Sequence, residues 1–199
     1  MFGFAVQDDA EPCAWGHLTS GGTVANYEAL WNLRSVKFYG LALQAGAAAC
    51  GFDPDGVGPV NKRLSEYDEW ELLNLSVDQM IELRRTVARL ARGLTDRKTF
   101  HEFAAAVREQ RIDCQGTAGF FSTHAAVRPP LVMVPVSAHY SWEKGMKVLG
   151  LGTANLVPVQ VDSHMRMDVG HLRECLEGAL QDRTPVLAVV GMLGSTEFG

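Results

Sequence analysis

Several features are absent from this sequence, and each absence excludes a class of protein. No apolar run approaches the ~20 residues that a membrane-spanning helix needs. The start of the chain lacks the basic-then-apolar pattern of a secretory signal, so we expect a cytoplasmic protein without membrane contact. The 18 Lys and Arg against 23 Asp and Glu give a net charge of −5 without long blocks of one sign, which predicts no nucleic-acid partner.

Cysteine pairing is also missing. The chain has four cysteines, Cys13, Cys50, Cys114 and Cys175. They lie far apart and none has Cys-x-x-Cys spacing, so the sequence predicts neither a metal site nor a disulfide framework. The 199 residues, 47% of them hydrophobic, are enough to bury one sizeable core.

Short runs of β-branched residues recur in the last third of the chain, at residues 131–136, 155–161 and 186–190. Long helix-like segments separate them, and this βαβαβ pattern predicts an α/β fold with a mostly parallel sheet covered by helices. We expect the second helix-like segment to lie on that sheet, because it carries the clearest apolar stripe. The stripe consists of Leu172, Cys175, Leu176, Ala179 and Leu180.

The first two thirds of the chain are predicted to be mainly helical. Apolar spacing predicts a long helix from residue 23 to about residue 43, then a Gly- and Pro-rich loop over residues 50–60. A capping-box pattern at Ser76 and Gln79 begins a helix that ends near Gly93, and a further helix is predicted over residues 95–110. Four arginines of this region are expected to form a solvated face: Arg84, Arg85, Arg89 and Arg92.

Three places could carry chemistry. The run "TSGGT" precedes the first helix, where free N–H groups and the Thr23 hydroxyl would suit a phosphate. His139 follows the first predicted strand, and Ser141 is expected to cap the next helix. The run "GMLGSTEFG" follows the third strand. Taken singly, an ordinary turn or a structural histidine explains these features better than a ligand site does, since "TSGGT" matches no standard phosphate-loop motif.

Four segments taken together resemble one family. "TSGGTVANYEALW", "SAHYSWEKGMKVLGLG", "VPVQVDSHMRMD" and "PVLAVVGMLGSTEFG" occur in the order and spacing of the pyridoxal-phosphate-dependent amino-acid decarboxylases of the glutamate and aromatic group. The bacterial tyrosine decarboxylase branch, which also shares "EWELLN", is the most similar. The resemblance implies that residues 1–199 are part of the large domain of a fold-type I pyridoxal-phosphate enzyme, with residues 50–128 as a helical insertion or linker.

The resemblance also implies roles for individual residues. Gly22 and Thr23 would bind the cofactor phosphate, and His139 would stack on the pyridine ring and help to orient the substrate as the catalytic residue. Ser195 and Thr196 correspond to the family's Gly-Thr-Thr turn and would contact the cofactor. The substrate would be an amino acid, with a tyrosine-like one favoured, and the whole enzyme would be a homodimer.

Two residues that the family needs are not found in the sequence. Its Schiff-base lysine follows a histidine, and its aspartate pairs with the pyridine nitrogen; none of the five lysines here has that setting. The chain is therefore interpreted as the central part of an enzyme. Two alternatives stay open: a non-catalytic relative used for binding or subunit pairing, and another lysine-imine enzyme of the same fold, such as an aminotransferase.

The missing lysine and aspartate lead to a first prediction. We expect the 199-residue chain with added pyridoxal phosphate to decarboxylate no amino acid at a useful rate, because it lacks the groups that attach and polarise the cofactor. Carbon dioxide release from tyrosine, glutamate or aspartate is the measurement. Release above the rate of free cofactor would contradict the expectation.

Overall fold

The computed structural model describes residues 16–94 and 97–194 of the chain, which contain eight α-helices and three strands. The helices are α1 (Gly22–Lys37), α2 (Tyr39–Ala49), α3 (Glu69–Leu73), α4 (Val77–Leu94), α5 (Arg97–Glu109), α6 (Ile112–Thr123), α7 (Ser141–Val148) and α8 (Val169–Gln181). The strands are β1 (Leu131–Pro135), β2 (Leu156–Val159) and β3 (Val186–Val189). Short 3₁₀ turns lie at Leu64–Glu66 and Thr153–Asn155.

The three strands form one parallel sheet in the order β2-β1-β3. α7 connects β1 to β2, and α8 connects β2 to β3. The predicted strands and their parallel βαβαβ arrangement are therefore confirmed, and the architecture is of the α/β type. Within the described ranges, neither outer strand pairs with a fourth strand, so both edges of the sheet are open.

Apolar side chains cover both faces of the sheet because successive residues of a strand point to opposite sides. Val132 of β1 packs in one buried cluster with Leu30 of α1 and Met146 of α7. Met133 packs in another, together with Ala179 of α8. The sheet thus lies between α1 and α7 on one side and α8 on the other.

The apolar stripe predicted for α8 is too wide. Leu172, Cys175 and Ala179 pack against the sheet, whereas the side chains of Leu176 and Leu180 are 37% and 64% exposed. Each exposed leucine follows a packed residue by one position, which turns it about 100° around the helix axis. A small sheet therefore contacts a narrower face of the helix than the sequence pattern suggested.

A second apolar core lies among α2 to α6, with Leu41, Leu83 and Phe120 among its buried members. The predicted loop is confirmed, since neither helix nor strand occurs between α2 and the turn at residue 64. The capping box is confirmed too: the Gln79 N–H donates to the Ser76 hydroxyl over 3.2 Å, and the Ser76 N–H donates to the Gln79 side chain over 2.9 Å.

The prediction of one long helix over residues 23–43 is wrong. The helix breaks at Phe38, and α2 then continues to Ala49. Phe38 is buried, with its ring centroid 5.2 Å from that of Phe120 and 5.6 Å from that of Phe121. This packing lets α1 cover the sheet while α2 enters the helical core, an effect of tertiary contacts that local spacing does not contain.

The crossing of α2 and α5 yields a test of the helical core. A Cβ atom at Gly46 would lie 2.5 Å from the Cα of Val107, and backbone atoms cannot move aside cheaply. We expect Gly46→Ala to lower the free energy of unfolding by about 1–3 kcal/mol through overpacking, as measured by urea denaturation.

Gly178→Ala in α8 is the matched control, because no other described atom lies within 4 Å of a Cβ at Gly178. Alanine there should stabilise the protein by about 0.5–1 kcal/mol, since it restricts the unfolded chain. Equal stability of the two variants would contradict the packing described for α2 and α5.

Candidate functional site

The start of α1 is a turn that requires glycine at residue 21. Gly21 has φ of 114° and ψ of 164°, a conformation that side-chain-bearing residues rarely adopt. Gly22, the first residue of α1, needs no such conformation. Of the two glycines, Gly21 is therefore the one whose backbone conformation the turn requires.

The first turn of α1 offers donors to an anion. No side chain caps it and it contains no acidic residue, so its first N–H groups have no acceptor within the helix. The Thr23 hydroxyl lies on the same turn. A Cβ at Gly21 or Gly22 would meet no described atom within 4 Å, which means that the space beside these residues is open. Unpaired N–H groups, a hydroxyl and the positive end of a helix fit a phosphate group.

His139 lies between the end of β1 and the start of α7, and it is held by Ser141. Its Nδ1 is 3.2 Å from the backbone N of Ser141, which donates to it, and 2.9 Å from the Ser141 hydroxyl oxygen. The expectation that Ser141 caps α7 is wrong, because Tyr140 takes the cap position and Ser141 is the first helical residue. The fully buried Ser141 hydroxyl instead contacts the histidine.

A hydrogen bond from α1 completes this arrangement. The side-chain N–H of Asn26 donates to the Ser141 hydroxyl over 2.8 Å. Asn26 lies one helical turn after Gly22, so this bond connects the start of α1 to the start of α7. Through this bond the first turn of α1, which contains Gly22 and Thr23, is joined to Ser141 and so to His139.

The hydrogen bonds also fix the tautomer of His139. Because Nδ1 accepts from the backbone N–H of Ser141, the proton of the neutral ring is on Nε2. Asn26 donates to the Ser141 oxygen, which leaves the hydroxyl hydrogen free to point at Nδ1. Nε2–H is therefore the ring donor that remains available to a ligand. The exposed His139 ring also lies 4.1 Å from the Tyr140 ring, centroid to centroid.

A cavity of about 230 Å³ opens at the carboxyl ends of the strands. Ser137 after β1, His164 after β2 and Gly191 after β3 contribute to its lining. Asp162 shapes the His164 loop by accepting from the N–H groups of His164 and Arg166 over 2.8 and 2.9 Å. These bonds, the one from Arg166 first, lower the pKa of the Asp162 carboxyl below its ordinary value.

The loop around His164 was given no role from the sequence. Its residues belong to "VDSHMRMD", which is part of one of the four segments that resemble the family. Ser195 and Thr196, the other predicted contacts, lie outside the described residues.

In the part of the chain that is described, no group of three or more His, Cys, Asp or Glu residues could hold a metal ion. None of the helices described is both long and apolar enough to cross a membrane.

No protein-family model matches this chain. The chain is 29% identical, over 93% of its length, to a protein from Enterococcus faecalis named L-tyrosine decarboxylase, of which it covers 24%. The same figures hold for an L-tyrosine decarboxylase of Levilactobacillus brevis.

A shorter match, 34% identical over 37% of this chain and 18% of the relative, is to a probable L-tyrosine/L-aspartate decarboxylase of Methanoculleus marisnigri. The chain spans about a quarter of the length of the L-tyrosine decarboxylases that it matches. Its similarity to these proteins extends along nearly all of its own length, which supports the resemblance to the tyrosine decarboxylase branch.

The hydrogen bonds of His139 give a direct prediction. In ¹⁵N spectra of the histidine-labelled chain, the neutral His139 ring should carry its proton on Nε2, because Nδ1 is occupied as an acceptor. His164 is an internal reference, since no described group bonds its ring, and it should show a mixture of tautomers. A neutral His139 ring protonated on Nδ1 would contradict the contact with the Ser141 N–H.

Proposed function

We propose that this chain is part of a pyridoxal-phosphate-dependent amino-acid decarboxylase and forms the phosphate-binding and ring-stacking part of its site, with a tyrosine-like substrate favoured. The similarity to L-tyrosine decarboxylases over 93% of the chain supports the reaction class. The observation that carries the assignment of the site is the uncapped start of α1, joined to His139 through Asn26 and Ser141. When bound, pyridoxal phosphate supplies an electron sink for the bond that breaks as carbon dioxide leaves.

Gly22 and Thr23 are proposed to hold the phosphate. The N–H groups of the first turn of α1 donate to it, and the Thr23 hydroxyl adds one further donor. The absence of a side chain at Gly22 lets the phosphate approach the backbone. The positive end of the α1 dipole stabilises the phosphate charge.

His139 is proposed to be the catalytic residue of this part of the site. Its flat ring stacks on the pyridine ring of the cofactor. Ser141 occupies Nδ1 and so keeps the imidazole in one orientation, while Nε2–H faces no described partner and can hold a proton toward the substrate. Ser141 is therefore proposed to orient the His139 ring, and Asn26 is proposed to hold Ser141 in place through its hydrogen bond.

Ser195 and Thr196 are proposed to contact the cofactor from the turn that follows β3. The lysine that carries the cofactor is proposed to lie outside these 199 residues, because none of the five lysines here follows a histidine as the family's does. Lys62 pairs with Glu71, and Lys147 pairs with Glu143.

The wider assignments follow from the same proposal. Residues 1–199 would be part of the large domain of a fold-type I enzyme, with residues 50–128 as its helical insertion. The whole enzyme would be a cytoplasmic homodimer. The open edges of the three-stranded sheet are compatible with further strands contributed by the rest of such a protein.

Binding of the cofactor tests the proposal without any need for activity. Pyridoxal phosphate and pyridoxine 5′-phosphate are titrated into the chain, the second because it lacks the aldehyde that reacts with lysines. Each charge-assisted hydrogen bond contributes roughly 1.5–3 kcal/mol, so Thr23→Ala should weaken binding of both compounds about tenfold. Gly22→Val should weaken binding further, since the branched side chain would occupy the open space that the phosphate needs. The fold should tolerate the change, because a Cβ at Gly22 meets no described atom within 4 Å.

Thr123→Ala is the control, because among the described residues that hydroxyl bonds only to the Gly119 carbonyl within α6. It should leave the affinity unchanged. If the wild-type chain and all three variants bind pyridoxine 5′-phosphate equally, "TSGGT" is only a turn and the assignment of the phosphate site is wrong.

A further inference from the structure

A cavity of about 330 Å³ lies between α2, α4 and α5, in the helical part of the molecule. Buried apolar side chains line it, among them Leu43, Phe103 and Val107. Four arginines also line it: Arg84, Arg92, Arg108 and Arg111. It shares no residue with the start of α1 or with His139, so it is separate from the proposed cofactor site.

Helical geometry selects which arginines reach this cavity. Arg84, Ala88 and Arg92 follow one another at intervals of four residues and lie on one face of α4. Arg85 and Arg89 lie on another face and do not line it. All four arginines of α4 are exposed, as expected for a solvated face, and Arg84 and Arg92 also line the cavity.

The guanidinium groups at the cavity are held by aromatic rings. Arg84 lies 5.8 Å from the centroid of the Tyr39 ring, and Arg92 lies 4.8 Å from that of Phe100. Contacts of this kind position a guanidinium without neutralising its charge. Its N–H groups therefore remain able to bind an anion.

The positive charge of the cavity is largely uncompensated. Arg111 pairs with Asp113 over 2.7 Å. For Arg84, Arg92 and Arg108, no carboxylate of residues 16–94 or 97–194 lies within ion-pair distance. Among the residues that the structure describes, these three guanidiniums beside one cavity form a local positive excess, in a chain whose net charge is −5.

We propose that this cavity binds a small aryl carboxylate. The planar guanidinium fork matches a carboxylate and can bind it through two parallel hydrogen bonds. The partly exposed ring of Phe100 and the small exposed edges of Phe103 and Val107 would contact the aromatic ring, and the volume suits a ligand of that size. A zwitterionic amino acid binds less well, because its ammonium group is repelled by the arginines.

The test compares three probes that separate charge from apolar surface. Phenylacetate, the neutral isostere phenylacetamide, and inorganic phosphate are titrated into the full 199-residue chain and followed by amide NMR shifts. Phenylacetate should bind in the millimolar range expected of a fragment, with shifts at α4 and α5. Equal or tighter binding of phenylacetamide or of phosphate would overturn the proposal.

Charge-removing variants locate the binding. Arg84→Gln and Arg108→Gln should each weaken phenylacetate binding about fivefold, since each removes one charged donor at a partly exposed site. Arg85→Gln removes the same charge from the same helix outside the cavity and should have no effect. The amide spectra of Arg84→Gln, Arg108→Gln and Arg85→Gln also show whether each variant is folded. A loss in Arg85→Gln equal to that in Arg84→Gln would show non-specific charge attraction and refute the site.

Discussion

α1 and α7 approach each other closely at Gly145, and both parts of the proposed cofactor site depend on this contact. A Cβ atom at Gly145 would lie 2.9 Å from the Cδ1 of Leu30 and 3.2 Å from the Tyr27 ring, so a side chain there would have to displace these α1 side chains. The Asn26–Ser141 bond joins the starts of the helices, and the Arg34 guanidinium donates to the Leu149 carbonyl over 2.9 Å near their ends. The position of His139 relative to the start of α1 follows from these contacts.

The strands could be predicted because their β-branched runs are local signals. The helices of the first half were predicted less well, because their limits depend on distant residues. α1 ends where Phe38 enters the helical core against Phe120, and nothing within residues 23–43 marks that break. How much of the apolar face of α8 is buried depends on the width of the sheet, and the spacing of apolar residues within α8 contains no information about that width.

At the candidate site, sequence reasoning found the glycine-rich turn and His139 but not what holds them. Asn26 and Ser141 are 115 residues apart, so their hydrogen bond leaves no pattern in either segment. The requirement for glycine at residue 21 became visible only through its φ of 114°. The division of the α4 arginines had a signal, since Arg84 and Arg92 are two helical turns apart on one face, whereas Arg85 and Arg89 each lie one residue past a position on that face and about 100° around the helix.

In the function proposed above, the start of α1 and His139 bind one phosphate-bearing pyridine together. The most direct measurement is an NMR map of the ¹⁵N-labelled chain with saturating pyridoxine 5′-phosphate. The amides of Gly22 and Thr23 and the ring nitrogens of His139 are expected to shift at the same ligand concentration. Shifts confined to other surfaces, such as the arginine-lined cavity of α4 and α5, would contradict it.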